Sequence, residues 1–294
     1  MAGETTLRPR RSVLYMPGAN ERALEKAKGL AADALILDLE DAVAPDAKAE
    51  ARDRVCAAVG SGQYGARELT IRVNGLDTAW HADDITAAAA AGPAAVVVPK
   101  VGSVADVAAV EKGLEAAGAP DHTRIWAMVE TPAAMLHAEA IASASERLTV
   151  LVMGTNDLAK ELHAEHVPGR QPLLTGLGLC LLAARATGKV ILDGVYNDIK
   201  DPDGFEAECV QGRQMGFDGK TLIHPSQLEP ANRVWAPSPD AVDDARALIA
   251  TFEEGVAAGK GVVTHNGRMI ENMHVDNARR LIALADAIAA LDQG

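Results

Sequence analysis

Apolar, largely β-branched runs recur at positions 12–16, 34–37, 69–73, 94–98, 124–129, 148–152, 190–192 and 220–223, and long alanine-rich segments separate them. Such runs read as strands buried in a parallel sheet. The segments between them, such as 21–31, 46–59, 104–117 and 132–142, have helical composition and periodicity. Eight strand–helix units predict an α/β fold of the (β/α)8 TIM-barrel type, in preference to an open doubly wound sheet.

About seventy residues follow the eighth strand, more than a minimal barrel needs. Pro237 and Pro239 flank a helix start at Ser238 or Asp240, and 241–258 has the length and apolar spacing of a full helix. The G-K-G at 259–261 breaks it, 262–265 and 269–270 flank the turn dipeptide Asn266-Gly267, and helix resumes over 275–291. The division expected is a barrel over 1–236 and a C-terminal helical and hairpin lid over 237–294, or an arm laid over a neighbouring subunit.

Composition narrows the function. A net charge of -13, from 28 basic and 41 acidic residues, argues against nucleic acid and against an anionic membrane surface as partners. Cys56, Cys180 and Cys209 lie far apart, which indicates neither a disulfide framework nor a zinc knuckle. The start, M-A-G-E-T-T-L-R-P-R-R, shows no hydrophobic signal segment, so a soluble cytoplasmic protein is expected.

Chemistry gathers where strands end. I-W-A-M-V-E delivers Glu130, and L-T-V-L-V-M-G-T-N-D delivers Asp157. Two carboxylates at one barrel mouth form an oxygen-only site suited to a hard cation such as Mg²⁺. The second strand runs into Asp38, Glu40 and Asp41, three acids that repel one another unless cations or donors attend them; they could orient Arg72 or a metal-bound water. Arg72, in I-R-V-N-G, offers a rigid fork of donors to a substrate carboxylate, or pairs with a structural acid. Lys100 is a weak Schiff-base candidate, because nearby carboxylates would keep it protonated. Asp193 ends the seventh strand and is expected to organise the site or its loop, and His224 either seats a ligand or satisfies a backbone group. His163 and His166 have no third partner at zinc spacing. In G-T-N-D, Gly154 permits a tight turn, Asn156 can hold the loop, and Asp157 can cap the next helix or bind metal, two roles that do not exclude each other. M-P-G-A-N-E-R precedes the first helix, where Arg22, Lys26 and Lys28 favour an anion.

Taken in order, S-V-L-Y-M-P-G-A, L-D-L-E-D-A-V-A-P-D-A-K, I-R-V-N-G, V-V-V-P-K, M-V-E-T-P, M-G-T-N-D-L-A-K-E-L, G-K-T-L-I-H-P and N-G-R-M-I-E-N resemble the citrate lyase beta subunit and malyl-CoA lyase family of Mg²⁺-dependent barrel enzymes, from Arg11 to about Leu291. The stretch G-L-G-L-C-L-L-A-A-R-A followed by D-G-V-Y-N is similar to the branch that groups malyl-CoA lyases with (3S)-malyl-CoA thioesterases.

The resemblance implies Glu130 and Asp157 as ligands of Mg²⁺, with Mn²⁺ a possible substitute, and Arg72 as the clamp on the substrate's acid end beside Gly154, Thr155 and Asn156. It implies a CoA thioester bound with help from Pro17, Gly18, Arg22 and Lys26, catalytic roles for Glu40 and Asp41, and homotrimers or homohexamers whose C-terminal arm reaches a neighbour's site. Lyases of the family carry an aspartate in the arm's M-[IV]-D motif; this chain has Met269, Ile270 and Glu271. One methylene moves the carboxylate by about 1 Å, enough to cost on the order of a hundredfold where orientation governs the rate. Hydrolysis of (3S)-malyl-CoA to malate and CoA, with Glu271 activating water, therefore stands slightly ahead of retro-aldol cleavage. In the latter, malyl-CoA, methylmalyl-CoA or citramalyl-CoA would yield an acyl-CoA plus glyoxylate or pyruvate. A non-catalytic scaffold subunit of a lyase complex and an enzyme handling pyruvate or phosphoenolpyruvate are the rivals.

Overall fold

Val, Leu and Ile dominate the strands because their side chains pack well on ribbons buried on both faces. A computed structural model describes residues 7–259 and 261–293. In chain order it runs β1 (Ser12–Pro17), α1 (Glu21–Ala27), β2 (Ala34–Asp38), α2 (Lys48–Gly60), β3 (Glu68–Arg72), α3 (His81–Ala91), β4 (Ala95–Val98), α4 (Val104–Ala116) and β5 (Arg124–Val129). It continues with α5 (Pro132–Leu136), α6 (Ala138–Ala142), β6 (Leu148–Met153), α7 (Thr155–Glu161), α8 (Leu174–Ala186), β7 (Val190–Asp193), α9 (Pro202–Met215), β8 (Gly219–Leu222) and α10 (Leu228–Trp235). Neighbouring strands pair in parallel, and β1 returns to β8 through Ser12–Lys220, Val13–Thr221 and Leu14–Leu222, which closes the expected (β/α)8 barrel.

Each strand serves two apolar walls. Val13, Ile36, Val97, Met128, Val152 and Leu192 belong to a cluster built from strand residues alone, which is the lumen. Their neighbours Leu14, Leu37, Val96, Val129 and Ile191 belong to the larger cluster shared with the helices. Successive side chains alternate between these walls, so the runs show no polar alternation.

Two helices differ from expectation. The first ends at Ala27 instead of Ala31, because Lys28, Gly29 and Leu30 donate to the carbonyls three residues back and wind the chain into a tighter turn. The segment 132–142 is broken at His137 (φ −109°, ψ 13°), whose N–H is shared between the carbonyls of Ala133 and Ala134.

The chain divides into two compact units, Arg10–Trp235 and a second running from Ala236 onward that also takes in the described residues before Arg10. In the second unit, α11 (Pro239–Ala257) starts at Ser238, whose side chain accepts from the Ala241 N–H. β9 (Val263–His265) and β10 (Arg268–Ile270) form an antiparallel hairpin, and α12 (Asn272–Asp292) packs along α11. Asn266 (φ 49°) and Gly267 (φ 73°) both adopt the left-handed conformation that a two-residue hairpin turn requires. Positions 1–6 and 260, part of the expected chain start and helix break, lie outside the described residues. Among those residues no helix is long and apolar enough to cross a membrane.

Asp193 behaves differently from the other strand-end acids. Leu192 faces the lumen, so Asp193 faces outward, toward α9. Fully buried, it binds Arg170 Nη1 at 2.6 Å and Lys220 Nζ at 3.0 Å, while Lys220 also reaches Glu208 at 2.7 Å. This neutral four-charge cluster ties the loop after α7 to β7, β8 and α9. Removing one member strands a buried cation, so Asp193→Asn is expected to destabilise the fold by about 3–5 kcal/mol in denaturant titration. A loss below about 1 kcal/mol would show that the cluster is not coupled to folding.

Candidate active site

Lumen parity carries three charged groups to the barrel rim. Asp38 continues the β2 column of Ala34 and Ile36, Arg72 ends β3 one residue past the outward Ile71, and Glu130 follows Trp126 and Met128 just beyond β5. Together with Tyr15, Pro17, Asp41 and the 154–157 turn they line a cavity of about 390 Å³.

Arg72 is held before it can hold anything. Its Nε and Nη2 donate to the two oxygens of Asp38 at 2.6 and 2.7 Å, Nη1 lies 2.7 Å from Glu40 Oε2, and Asp41 Oδ2 stands 3.8 Å away. The Tyr15 ring centroid lies 4.9 Å from the guanidinium carbon, so the arginine is fixed by face as well as by edge. Of the five N–H groups a guanidinium offers, three meet Asp38 and Glu40, and two have no partner among the described residues.

Burial pushes the Glu130 carboxyl up to about 7 against the Lys100 N–H that donates to its Oε1 at 2.7 Å, and the negative charge of Asp157 raises it further. Glu40 is likewise pushed by burial to about 6, with Arg72 opposing and Asp41 and Asp38 adding to the rise. Burial alone would lower the Lys100 ammonium, but Glu40, Asp157 and Glu130 outweigh it and hold its pKa above the usual value. Lys100 is therefore charged, the wrong state for a Schiff-base nucleophile.

Gly154 is required by Glu130: a Cβ there would overlap the glutamate side chain. Asp157 is not the cap of α7, since Gly154 takes that position; it sits in the first turn, and its carboxylate accepts no hydrogen bond from a described residue. Thr155 Oγ1 is buried without a partner among the described residues. Among those residues no group of three or more His, Cys, Asp or Glu could hold a metal ion. Two carboxylates at one cavity are nonetheless the donor set with which Mg²⁺ is commonly held, its other positions going to water and substrate oxygens.

The remaining candidates lie elsewhere. Glu40 is not part of the cavity lining and pairs with Arg72, which is. Gly18 packs beside the Asp38 carbonyl, and Arg22 and Lys26 are exposed on α1 outside the cavity lining. Lys28 pairs with Glu25. His224 caps the short turn after β8 and meets Ser226 at 2.8 Å. Glu271, in the second unit, is exposed at the start of α12, its N–H donating to His274 Nδ1 at 3.0 Å.

Two positioning groups were missed by sequence reasoning. Tyr15 was hidden inside an apolar run, although its parity with Val13 places it in the lumen. Lys48 is buried and donates at 2.7 Å to the carbonyls of Leu39 and Glu40 and to Asn74 Oδ1; Asn74 Nδ2 in turn donates to Asp84 at 2.6 Å. This chain fixes the loop that carries Glu40.

A closed parallel barrel with an arginine, a lysine and paired acids on its rim has the architecture of a barrel enzyme. The HpcH/HpaI aldolase/citrate lyase family model matches residues 11–225, and the chain belongs to that family of enzymes. It is 55% identical to a (3S)-malyl-CoA thioesterase of Cereibacter sphaeroides over 96% of both chains. Identity is 37% to citrate lyase subunit beta of Escherichia coli, over 95% of this chain and 94% of that one. CitE from Mycobacterium tuberculosis, solved in complex with magnesium, acetoacetate and coenzyme A, superimposes with a TM-score of 0.77 at 28% identity, covering 94% of this chain and 97% of that one.

The Glu130 rise has a consequence for stability. Its folded value of about 7 exceeds the ordinary 4.5, so the burial cost is absent below about pH 4.5 and complete above about pH 7. Glu130→Gln is therefore expected to stabilise the metal-free protein at pH 8 by about 1–3 kcal/mol and to leave it unchanged near pH 4.5. Thermal melts in EDTA at the two pH values check this, and an equal effect at both would refute it.

Proposed function

We propose that this enzyme hydrolyses (3S)-malyl-CoA to malate and CoA. The observation that carries the proposal is the meeting of the Glu130–Asp157 pair and the two free Arg72 donors at one cavity. The preference for hydrolysis over C–C cleavage is supported by the relatives: those named thioesterase are 54–55% identical, against 33% for an L-malyl-CoA/beta-methylmalyl-CoA lyase of Cereibacter sphaeroides.

In this reading Glu130 and Asp157 hold Mg²⁺, with Mn²⁺ as a substitute, and the bound ion supplies Lewis-acid contacts to the carboxylate and hydroxyl oxygens of the malyl group. Arg72, braced by Asp38 and Glu40, grips the same acid end with its free N–H groups, and Thr155 Oγ1, Asn156 and the Gly154 turn complete the cradle. Asp41 adds to the field that keeps Arg72 oriented. The CoA portion leaves past Pro17 and Gly18, with Arg22 and Lys26 toward its phosphates. The 237–294 arm of a neighbouring subunit, in a homotrimer or homohexamer, brings Glu271 to the thioester. There Glu271 takes a proton from water, whose oxygen bonds to the thioester carbonyl carbon; the C–S bond breaks, and the proton passes to the departing sulfur.

The decisive assay follows free thiol and glyoxylate separately in one sample of (3S)-malyl-CoA with Mg²⁺ and an EDTA control. Thiol without glyoxylate is expected, and glyoxylate without thiol would replace hydrolysis by cleavage. Glu271→Gln is expected to fold and bind Mg²⁺ normally while losing about 10²-fold or more in turnover, the range for a positioned acid or base. Unchanged turnover would remove Glu271 from the chemistry.

A further inference from the structure

A second cavity, of about 530 Å³, lies beside the first, and Val195 belongs to the lining of both. The loop carrying Val195 is pinned on each side. The Gly194 N–H donates to Asp193 Oδ1 at 2.8 Å, and its backbone sits so close to Thr155 that a Cβ at 194 would come within 2.5 Å of Oγ1. On the other side, Gln227 Nε2 donates to the Tyr196 carbonyl at 3.0 Å, and Asn197 exchanges two amide hydrogen bonds with Asn156, at 3.1 and 2.7 Å. A loop held at 194, 196 and 197 gives Val195 little room to swing aside.

Most polar groups around the second cavity are engaged, although Arg170 Nη2 is buried without a partner among the described residues. Arg170 and Glu208 are bound to Asp193 and Lys220, Tyr196 donates to Asp201 at 2.7 Å, and Gln211 donates to the Gly169 carbonyl at 2.8 Å. Besides that nitrogen, an occupant meets the apolar surface of Val167, Pro168, Ala207 and the Tyr196 ring. That surface suits an alkyl group.

We propose that Val195 is a specificity-determining residue whose side chain separates the catalytic cavity from this apolar annex and so limits the alkyl substituent accepted on the acyl group. The proposal rests on the thioester reading of the site. A methylene in an apolar pocket is worth about 10- to 200-fold in discrimination, so opening or thickening one side chain is measurable.

The test compares Val195→Ala and Val195→Leu with the wild type on malyl-CoA and on malyl-CoA bearing a methyl or propyl group on the acyl carbons. Loss of the acyl-CoA is followed by chromatography, so that hydrolysis and cleavage count alike. The kcat/KM ratio of the propyl compound to malyl-CoA is expected to rise at least tenfold in Val195→Ala and to fall in Val195→Leu. General damage to the fold would lower both substrates together and leave the ratio in place. A ratio within threefold of wild type in both variants overturns the partition alone. A wild type inert toward malyl-CoA overturns the thioester reading, and the partition falls with it.

Discussion

Closure of the barrel buries both faces of every strand, and the period-two alternation that follows decides which residues can reach the mouth. Asp38, Arg72 and Glu130 share lumen parity, and Asp193, one step out of phase, does not. The same closure crowds Asp38, Glu40, Asp41, Glu130 and Asp157 against the Arg72 guanidinium and two lysines, Lys48 and Lys100. The crowding shows in the raised Glu130 and Glu40 carboxyls, each of which would ionise more readily beside an added positive charge.

Order at the rim comes from neutralised contacts in and behind the cavity wall. Tyr15 supports the face of Arg72 and Asp38 its edge, so the two donors left free point in fixed directions. Asp84, Asn74 and Lys48 hold the loop that brings Glu40 to Nη1. Across the mouth, the Asn156–Asn197 amide pair joins the turn carrying Asp157 to the loop after β7. Each device uses groups that water would otherwise compete for, and Lys48 and Asn74 escape that competition by burial.

The barrel was legible because doubly buried strands leave an unbroken apolar signature, as in V-V-V at 96–98, and because Asn266-Gly267 encodes a turn that few other dipeptides can make. Glu130, Asp157 and Arg72 were legible as strand-end charges, and the structure brings them to one cavity. Asp193 looked equivalent to them in sequence; only counting parity along I-L-D, with Leu192 in the lumen, separates it. Tyr15 disappeared into an apolar run because an aromatic ring satisfies the same pattern as valine. Lys48 could not be found by spacing, since its three acceptors come from two different strand–helix loops. The end of α1 at Ala27 reflects a change of hydrogen-bond register that residue type does not announce.

The seam between β1 and β8 has three paired positions, and it joins parts of the chain some two hundred residues apart. Bringing together the ends of a flexible loop of that length costs about 5 kcal/mol in chain entropy, more than the pairing of adjacent strands. Closure of the ring is thus the natural last event of folding, and a partly assembled sheet would persist as an open crescent. The mouth straddles this seam, with Tyr15 and Pro17 on one side and Thr221 and Ile223 on the other. Any molecule that touches both lips therefore recognises only the completed ring, and its binding energy is added to the closure that spans the longest stretch of chain.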